Sequence, residues 1–150
     1  MDPIVEVLKY SSLPLAVGLS AIGAGIGIAW SSPAVAGAGA ERPETISRNL
    51  ISIVLSEALA IYGLIVGLLL FFKLSAITEA AKAISAFSAG FTIGLAALGA
   101  GIGIGLSGNA MAMATAKDPK LFARLLLGVV LSEALAIYGL VVALLIVLGI

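Results

Sequence analysis

Neither cysteine nor histidine occurs among the 150 residues. Without thiols there are no disulfides and no thiolate metal sites, and without imidazole the commonest metal ligand and general base are missing. Most enzyme classes fall with them, and the chain is expected to be no enzyme by itself, with no cofactor. Charge is also scarce: only 11% of residues are charged, eight basic and eight acidic, for a formal net charge of zero. The basic residues are scattered, so there is no patch to hold nucleic acid. What fills the space is apolar. Hydrophobic residues make up 61% of the chain, and the mean hydropathy of +1.23 lies far outside that of a soluble domain.

Four apolar stretches can be read: Leu13 to about Ala40, about Ile46 to Phe72, about Ser85 to Ala116, and about Leu121 to Ile150. Each exceeds the roughly 20 residues that cross a bilayer as a helix. They do not alternate polar with apolar, which excludes barrel strands. The expected fold is all-α, with four transmembrane helices. The N-terminus has acids before its first lysine and no cationic n-region, which argues against a cleaved signal. Residues 1–12 mix charge with Ile4, Val5, Val7 and Leu8 and suit a short interfacial segment. The division that follows is 1–12 interfacial segment, 13–74 first hairpin, 75–84 linker and 85–150 second hairpin.

The chain is one hairpin written twice. A shift of 76 positions aligns Ala21–Leu64 with Ala97–Leu140 without a gap, with 26 identities in 44 positions. The string LSEALAIYGL recurs intact, and Pro43 meets Pro119 as Arg48 meets Arg124. Each repeat crosses the membrane twice, so the two hairpins share one orientation. This is a parallel duplication, which sets equivalent sites at equal depth around an axis normal to the membrane and suits a ring. The proline turns and the helix starts after them hold Arg42, Arg48, Lys117, Lys120 and Arg124, against Lys9, Lys73 and Lys82 on the other side. That bias favours cytoplasmic turns with both termini outside.

Glycines alternate in the first helix at Gly23, Gly25 and Gly27, and in the third at Gly99, Gly101, Gly103 and Gly105. At about 100° per residue, Gly23 and Gly27 lie on one side and Gly25 nearly opposite. Both flanks are stripped of side chain, which admits close neighbours on each side and suits an inner circle of packed helices. The glycines are no dinucleotide fingerprint, since no strand precedes them and no acidic residue follows at the required distance. No direct ATP binding is expected.

Each LSEALAIYGL places one glutamate, Glu57 or Glu133, inside an apolar helix. A charged carboxylate at mid-membrane costs roughly 2.5 to 3.5 kcal/mol even on the lenient insertion scale, so two at matched positions are expected to bind and release a cation. Ser56 and Tyr62 attend the first, Ser132 and Tyr138 the second. Each tyrosine lies about 140° round and roughly 7.5 Å along from its own glutamate and cannot cap it easily. It can lie over a carboxylate of an adjacent helix or subunit, or anchor packing. Each serine is expected to bond back to its own helix backbone. Facing lipid, each carboxyl must be neutralised by a proton or a bound cation, and it sheds that ion only where another positive charge compensates. No suitable arginine lies inside the apolar runs themselves, Arg48 and Arg124 standing at helix starts. A partner protein presenting a cation, most simply an arginine, is therefore expected.

The glycine ladder, the polar proline turn and the glutamate-bearing second helix together resemble the proteolipid of V/A-type rotary ATPases, in the duplicated form known as K or c. The resemblance covers Leu13 to Ile150. It implies a homo-oligomeric ring in lipid, turning against a stator membrane subunit, known as a or I, whose arginine discharges each glutamate. It further implies a central-stalk subunit, known as C or d, that takes up the torque. Many duplicated members keep one carboxylate; two here imply two ions per chain per revolution and a bacterial or archaeal plasma membrane. Sodium-binding relatives supply a glutamine just after the glycine run and a hydroxyl after the glutamate. Here those positions are Ile28 and Ile104, and Ala58 and Ala134. A dehydrated sodium ion needs several oxygen ligands, whereas a proton needs the carboxyl and at most one acceptor. Protons are expected and a bound metal is not, though Ser56, Ser132 and backbone carbonyls keep sodium open. The competing functions are a small multidrug-type antiporter built on a membrane glutamate, for which aromatics are too few, and a structural scaffold, which leaves the paired glutamates unexplained.

Overall fold

The computed structural model describes residues 2–150; Met1, counted above in the N-terminal segment, lies outside them. Four helices carry the described residues: α1 (Pro3–Glu41), α2 (Ile46–Lys73), α3 (Ala80–Lys117) and α4 (Phe122–Leu148). Short 3₁₀ turns at Pro43–Thr45, Leu74–Ala76 and Pro119–Leu121 join them. All four are long and apolar enough to cross a membrane. The protein is an all-α integral membrane protein.

The starts and stops have local causes. At the head of α1 the Asp2 carboxylate accepts from the Ile4 amide at 2.9 Å, with Pro3 in the first turn. That is an N-cap with a residue whose missing N–H costs nothing there. The third turn repeats the device, Asp118 accepting from the Lys120 amide at 3.0 Å before α4, with Pro119 between them. Residues 3–12 are helical and continuous with α1. Val5, Lys9 and Ser12 are buried there, and the backbone of Ser12 lies against Gly90 of α3, so packing carries the helix back to its cap. Pro14 and Pro33 are held inside α1. In the same way α3 begins at Ala80, taking up residues 80–84 of the stretch read as linker.

The direction of the helices follows from who meets whom. Along α1 and α3, Ser12 meets Gly90, Gly23 meets Ala97 and Leu98, and Gly27 meets Gly105. The two numbers rise together, so α1 and α3 run parallel. Gly63 meets Ala16 and Ser20, Gly27 meets Ser56, and Gly39 meets Ile46, so α1 and α2 form an antiparallel hairpin. Gly139 against Ala96 and Gly103 against Ser132 repeat that hairpin in α3 and α4. The Gly27–Ser56 and Gly103–Ser132 contacts stand at the same repeat offset. The duplication of sequence is a duplication of packing.

The α1–α3 seam is made of small residues. A Cβ on Gly23 would run into the carbonyl of Ala97, and one on Gly101 would run into the backbone of Gly23. Backbones come this close only where side chain is absent. Helix α3 is the hub, packing against α1, α2 and α4, while α4 rests on α3 and touches α2 along one side. Both α2 and α4 thus lie outside a core formed by α1 and α3.

Candidate functional site

The two glutamates fall on α2 and α4 at equivalent places in the repeat but in different surroundings. Glu133 on α4 is half-buried and accepts a hydrogen bond from the Tyr62 hydroxyl of α2, Oη to Oε1 3.0 Å. The tyrosine of the first repeat therefore serves the glutamate of the second. Its own glutamate, Glu57, is exposed. Among the described residues, neither Glu57 nor Tyr138 has a hydrogen-bonding partner. Tyr138 is 65% exposed, whereas Tyr62 is half-buried.

The serines beside the glutamates are engaged with their own helices. Ser56 Oγ donates to the Ser52 carbonyl and Ser132 Oγ to the Gly128 carbonyl, each at 2.8 Å. Each serine also fills the hollow left by a glycine, Gly27 for Ser56 and Gly103 for Ser132. The glycine ladder thus lets the glutamate-bearing helix lie close to the inner helix at the level of the carboxyl. Around the two glutamates the other neighbours are apolar. Ile104 is fully buried in a cluster with Leu59, Ala100 and Ala136, and Ile28 is half-buried. Ala58 and Ala134 are half-buried and bring no oxygen beyond their backbone.

The remaining glycines divide cleanly. Gly23, Gly101 and Gly105 are spent on the α1–α3 seam. Gly25 and Gly99 have nothing within 4 Å of a would-be Cβ and are exposed.

Three polar contacts escape a reading of the sequence for ion carriers. Arg42, which sequence reading counts only as a loop charge, reaches across to α3, its Nε donating to the Ala116 carbonyl at 2.7 Å and so capping the helix end. Asn49 is fully buried and donates through Nδ2 to Thr115 Oγ1 at 2.8 Å. Asn109 Nδ2 donates to the Trp30 carbonyl at 2.9 Å, three residues ahead of Pro33. The signal for Asn49 was a lone amide within an apolar helix. No such signal marks Arg42, whose repeat equivalent is Asp118.

Comparison with known proteins agrees with this arrangement. The sequence model of the family described as the C subunit of ATP synthase matches residues 13–70 and 87–146, one match for each hairpin. The 16 kDa proteolipid c subunit of the V-type proton ATPase of Homo sapiens is 37% identical over 129 residues, covering 86% of this chain and 83% of its own length. The c′ subunit of the V-type proton ATPase of Candida glabrata is 38% identical over 138 residues, covering 90% and 84%. A 16 kDa proteolipid c subunit of Caenorhabditis briggsae is 36% identical over 126 residues, covering 82% and 78%. These relatives are eukaryotic and lend no support to the bacterial or archaeal source expected from the paired glutamates. The chain belongs to the family of the ATP synthase C subunit, among the proteolipids of V-type rotary ATPases.

Proposed function

We propose that several copies of this chain form the rotor ring of a V/A-type rotary ATPase and that Glu57 and Glu133 each carry one proton. The observation that supports this best is the Tyr62–Glu133 hydrogen bond, which sets a carboxyl between the two outer helices at mid-span, held by the Tyr62 hydroxyl. A carboxyl in apolar surroundings stays neutral by holding a proton. It gives up that proton where a fixed positive charge compensates the carboxylate, and we assign that charge to an arginine of the stator membrane subunit, known as a or I. Rotation then carries the charged station past the stator to a second water path, where it is reprotonated. Two stations per chain make two protons per chain per revolution. The torque leaves through the central-stalk subunit, known as C or d, docked at the two proline turns. The excess of basic residues at those turns is our reason for placing them in the cytoplasm, and the second carboxylate is our reason for a bacterial or archaeal plasma membrane.

Protons are favoured over sodium by the oxygens at hand. Near Glu133 these are the Tyr62 hydroxyl and the Ser132 hydroxyl, the latter already donating to Gly128. The sodium-ligand positions are Ile28, Ile104, Ala58 and Ala134. The test is ATP-driven acidification of vesicles containing the whole complex at pH 7. Full acidification in sodium-free buffer is expected. Hydrolysis that depends on added sodium would overturn the proton assignment.

A further inference from the structure

Where the two hairpins meet at their turn end, the start of α2, the end of α3 and the start of α4 leave a cavity of about 80 Å³. Glu44, Arg48 and Asn49 line it from the start of α2 and the turn before it, Thr115 from α3 and Phe122 from α4. The two charged side chains are exposed, while Asn49 and Thr115 are buried. The buried pair is short of partners. Thr115 Oγ1 has one proton for two acceptors, the Ala112 carbonyl at 3.0 Å and Asn49 Oδ1 at 3.2 Å. Asn49 Nδ2 spends one hydrogen on Thr115 Oγ1 at 2.8 Å, and its second has no acceptor among the described residues. A buried amide hydrogen left unpaired is costly, so an acceptor is expected in the cavity beside it. The charges are short of partners too. Glu44 and Arg48 stand one helical turn apart yet form no ion pair: Glu44 leans to Arg42 at 3.8 Å, and Arg48 has no ionic partner among the described residues. Water alone would satisfy the amide, but it gives no reason for two unpaired charges of opposite sign at the mouth.

From the turn inwards, the chain presents a carboxylate, a guanidinium, an amide and then apolar surface. Glu44 precedes Arg48 by about 6 Å and Asn49 by about 7.5 Å along the axis. Beyond them Leu50 and Val54 are 42% and 59% exposed. A lipid whose headgroup ends in an amine has the same order: ammonium outermost, then phosphate, then the oxygens that link it to its chains, then hydrocarbon. We propose that this cavity seats one phosphoethanolamine lipid of the turn-side leaflet, with Glu44 accepting from its ammonium, Arg48 donating to its phosphate and Asn49 donating to a linking oxygen. Guanidinium suits phosphate because its donors can meet two oxygens at once. A primary ammonium donates to a carboxylate, which the trimethylated ammonium of a choline lipid cannot do. An anionic headgroup without an amine sets its charge against Glu44. The site occurs once per chain. At the repeat equivalents Lys120 stands for Glu44, Leu125 for Asn49 and Gly39 for Thr115, and the hollow over Gly39 is filled by Ile46, the equivalent of Phe122. Arg124, the equivalent of Arg48, is therefore an internal control. The site lies within one chain, so it stands on the membrane helices and not on the ring.

The test is competitive binding to the whole complex, stripped of lipid in detergent and then incubated with phosphatidylethanolamine and phosphatidylglycerol in equal amounts. Lipid that stays through gel filtration is counted per chain by mass spectrometry. The unaltered complex is expected to retain one phosphatidylethanolamine per chain in preference to phosphatidylglycerol. Arg48→Gln should cut that retention about fivefold, as befits a membrane-surface cation worth about 1 kcal/mol, while Arg124→Gln should not. Glu44→Lys exchanges an exposed side chain for its repeat equivalent and leaves the buried pair in place, so the fold is kept. It should reverse the preference toward phosphatidylglycerol. Equal retention of the two lipids by the unaltered complex, an equal loss from Arg48→Gln and Arg124→Gln, or an unchanged preference in Glu44→Lys would overturn the proposal. Displacement of the retained lipid by soluble phosphoethanolamine at the same concentration would assign the cavity to a free headgroup and overturn it as well.

Discussion

Replacing Tyr62 by phenylalanine removes one hydroxyl and nothing else from the neighbourhood of Glu133. Among the described residues that hydroxyl is the sole side-chain donor to the carboxyl, at 3.0 Å, from a half-buried tyrosine to a half-buried glutamate. Hydrogen bonds to charged groups are worth about 1.5–3 kcal/mol in soluble proteins. Side-chain bonds between membrane helices measure lower, averaging about 0.6 and reaching about 1.7 kcal/mol. A value of about 1 kcal/mol suits this pair and corresponds to roughly a fivefold change in a local equilibrium. In the assembled complex, carbodiimide labelling of Glu133 should therefore rise about fivefold, because the carboxyl oxygen is freed. Labelling of Glu57 should stay the same, since the Tyr62 hydroxyl is bonded to Glu133. The ring should still assemble, as the phenyl ring keeps its packing. Unchanged labelling of Glu133, or an equal rise at both glutamates, would refute the claim that Tyr62 holds this carboxyl.

Further outcomes follow from the packing. Gly101→Leu places a side chain against the backbone of Gly23 and should separate α1 from α3, costing about 1–3 kcal/mol or more and lowering the thermal stability of the solubilised chain; Gly37→Leu, at a site with nothing within 4 Å, should not. Asn49→Ala breaks the buried pair with Thr115, and a double-mutant cycle on thermal stability should return a coupling of about 0.6–1.7 kcal/mol. Arg42→Ala uncaps the end of α3 at Ala116, and a loss of about 1 kcal/mol should lower the unfolding temperature by about 2–4 °C.

Much of this architecture was legible in the sequence because the repeat is so nearly intact. Four apolar runs gave four helices, and the offset that aligned Glu57 with Glu133 also aligns the Gly27–Ser56 and Gly103–Ser132 contacts. Helix ends were less legible. Helix α1 runs back to Pro3, and α3 to Ala80, because burial against a neighbour overrides weak local composition, and a run of hydropathy does not register that. The pairing of Tyr62 with Glu133 was legible only as one of two options, a carboxylate on an adjacent helix or subunit or a packing role, and the particular glutamate was not legible. Helical geometry says that a tyrosine five residues on points away from its own glutamate, but which glutamate it finds depends on how the two hairpins sit side by side. That arrangement is set by contacts such as Gly23 with Ala97 and Arg42 with Ala116, which join residues far apart in the chain.

The central claim is that both glutamates are working stations, and single Glu→Gln variants test it most directly. Glutamine keeps the size and the hydrogen-bonding face of the carboxyl but cannot give up a charge-bearing proton. The measurement is ATP-driven acidification by vesicles bearing the whole complex, with ring assembly checked by native mass. Glu57→Gln and Glu133→Gln should each leave the ring intact and abolish or severely impair acidification, since one unchargeable station halts the rotor at the stator. Full acidification by an intact Glu57→Gln or Glu133→Gln ring would show that glutamate to be structural and contradict the account.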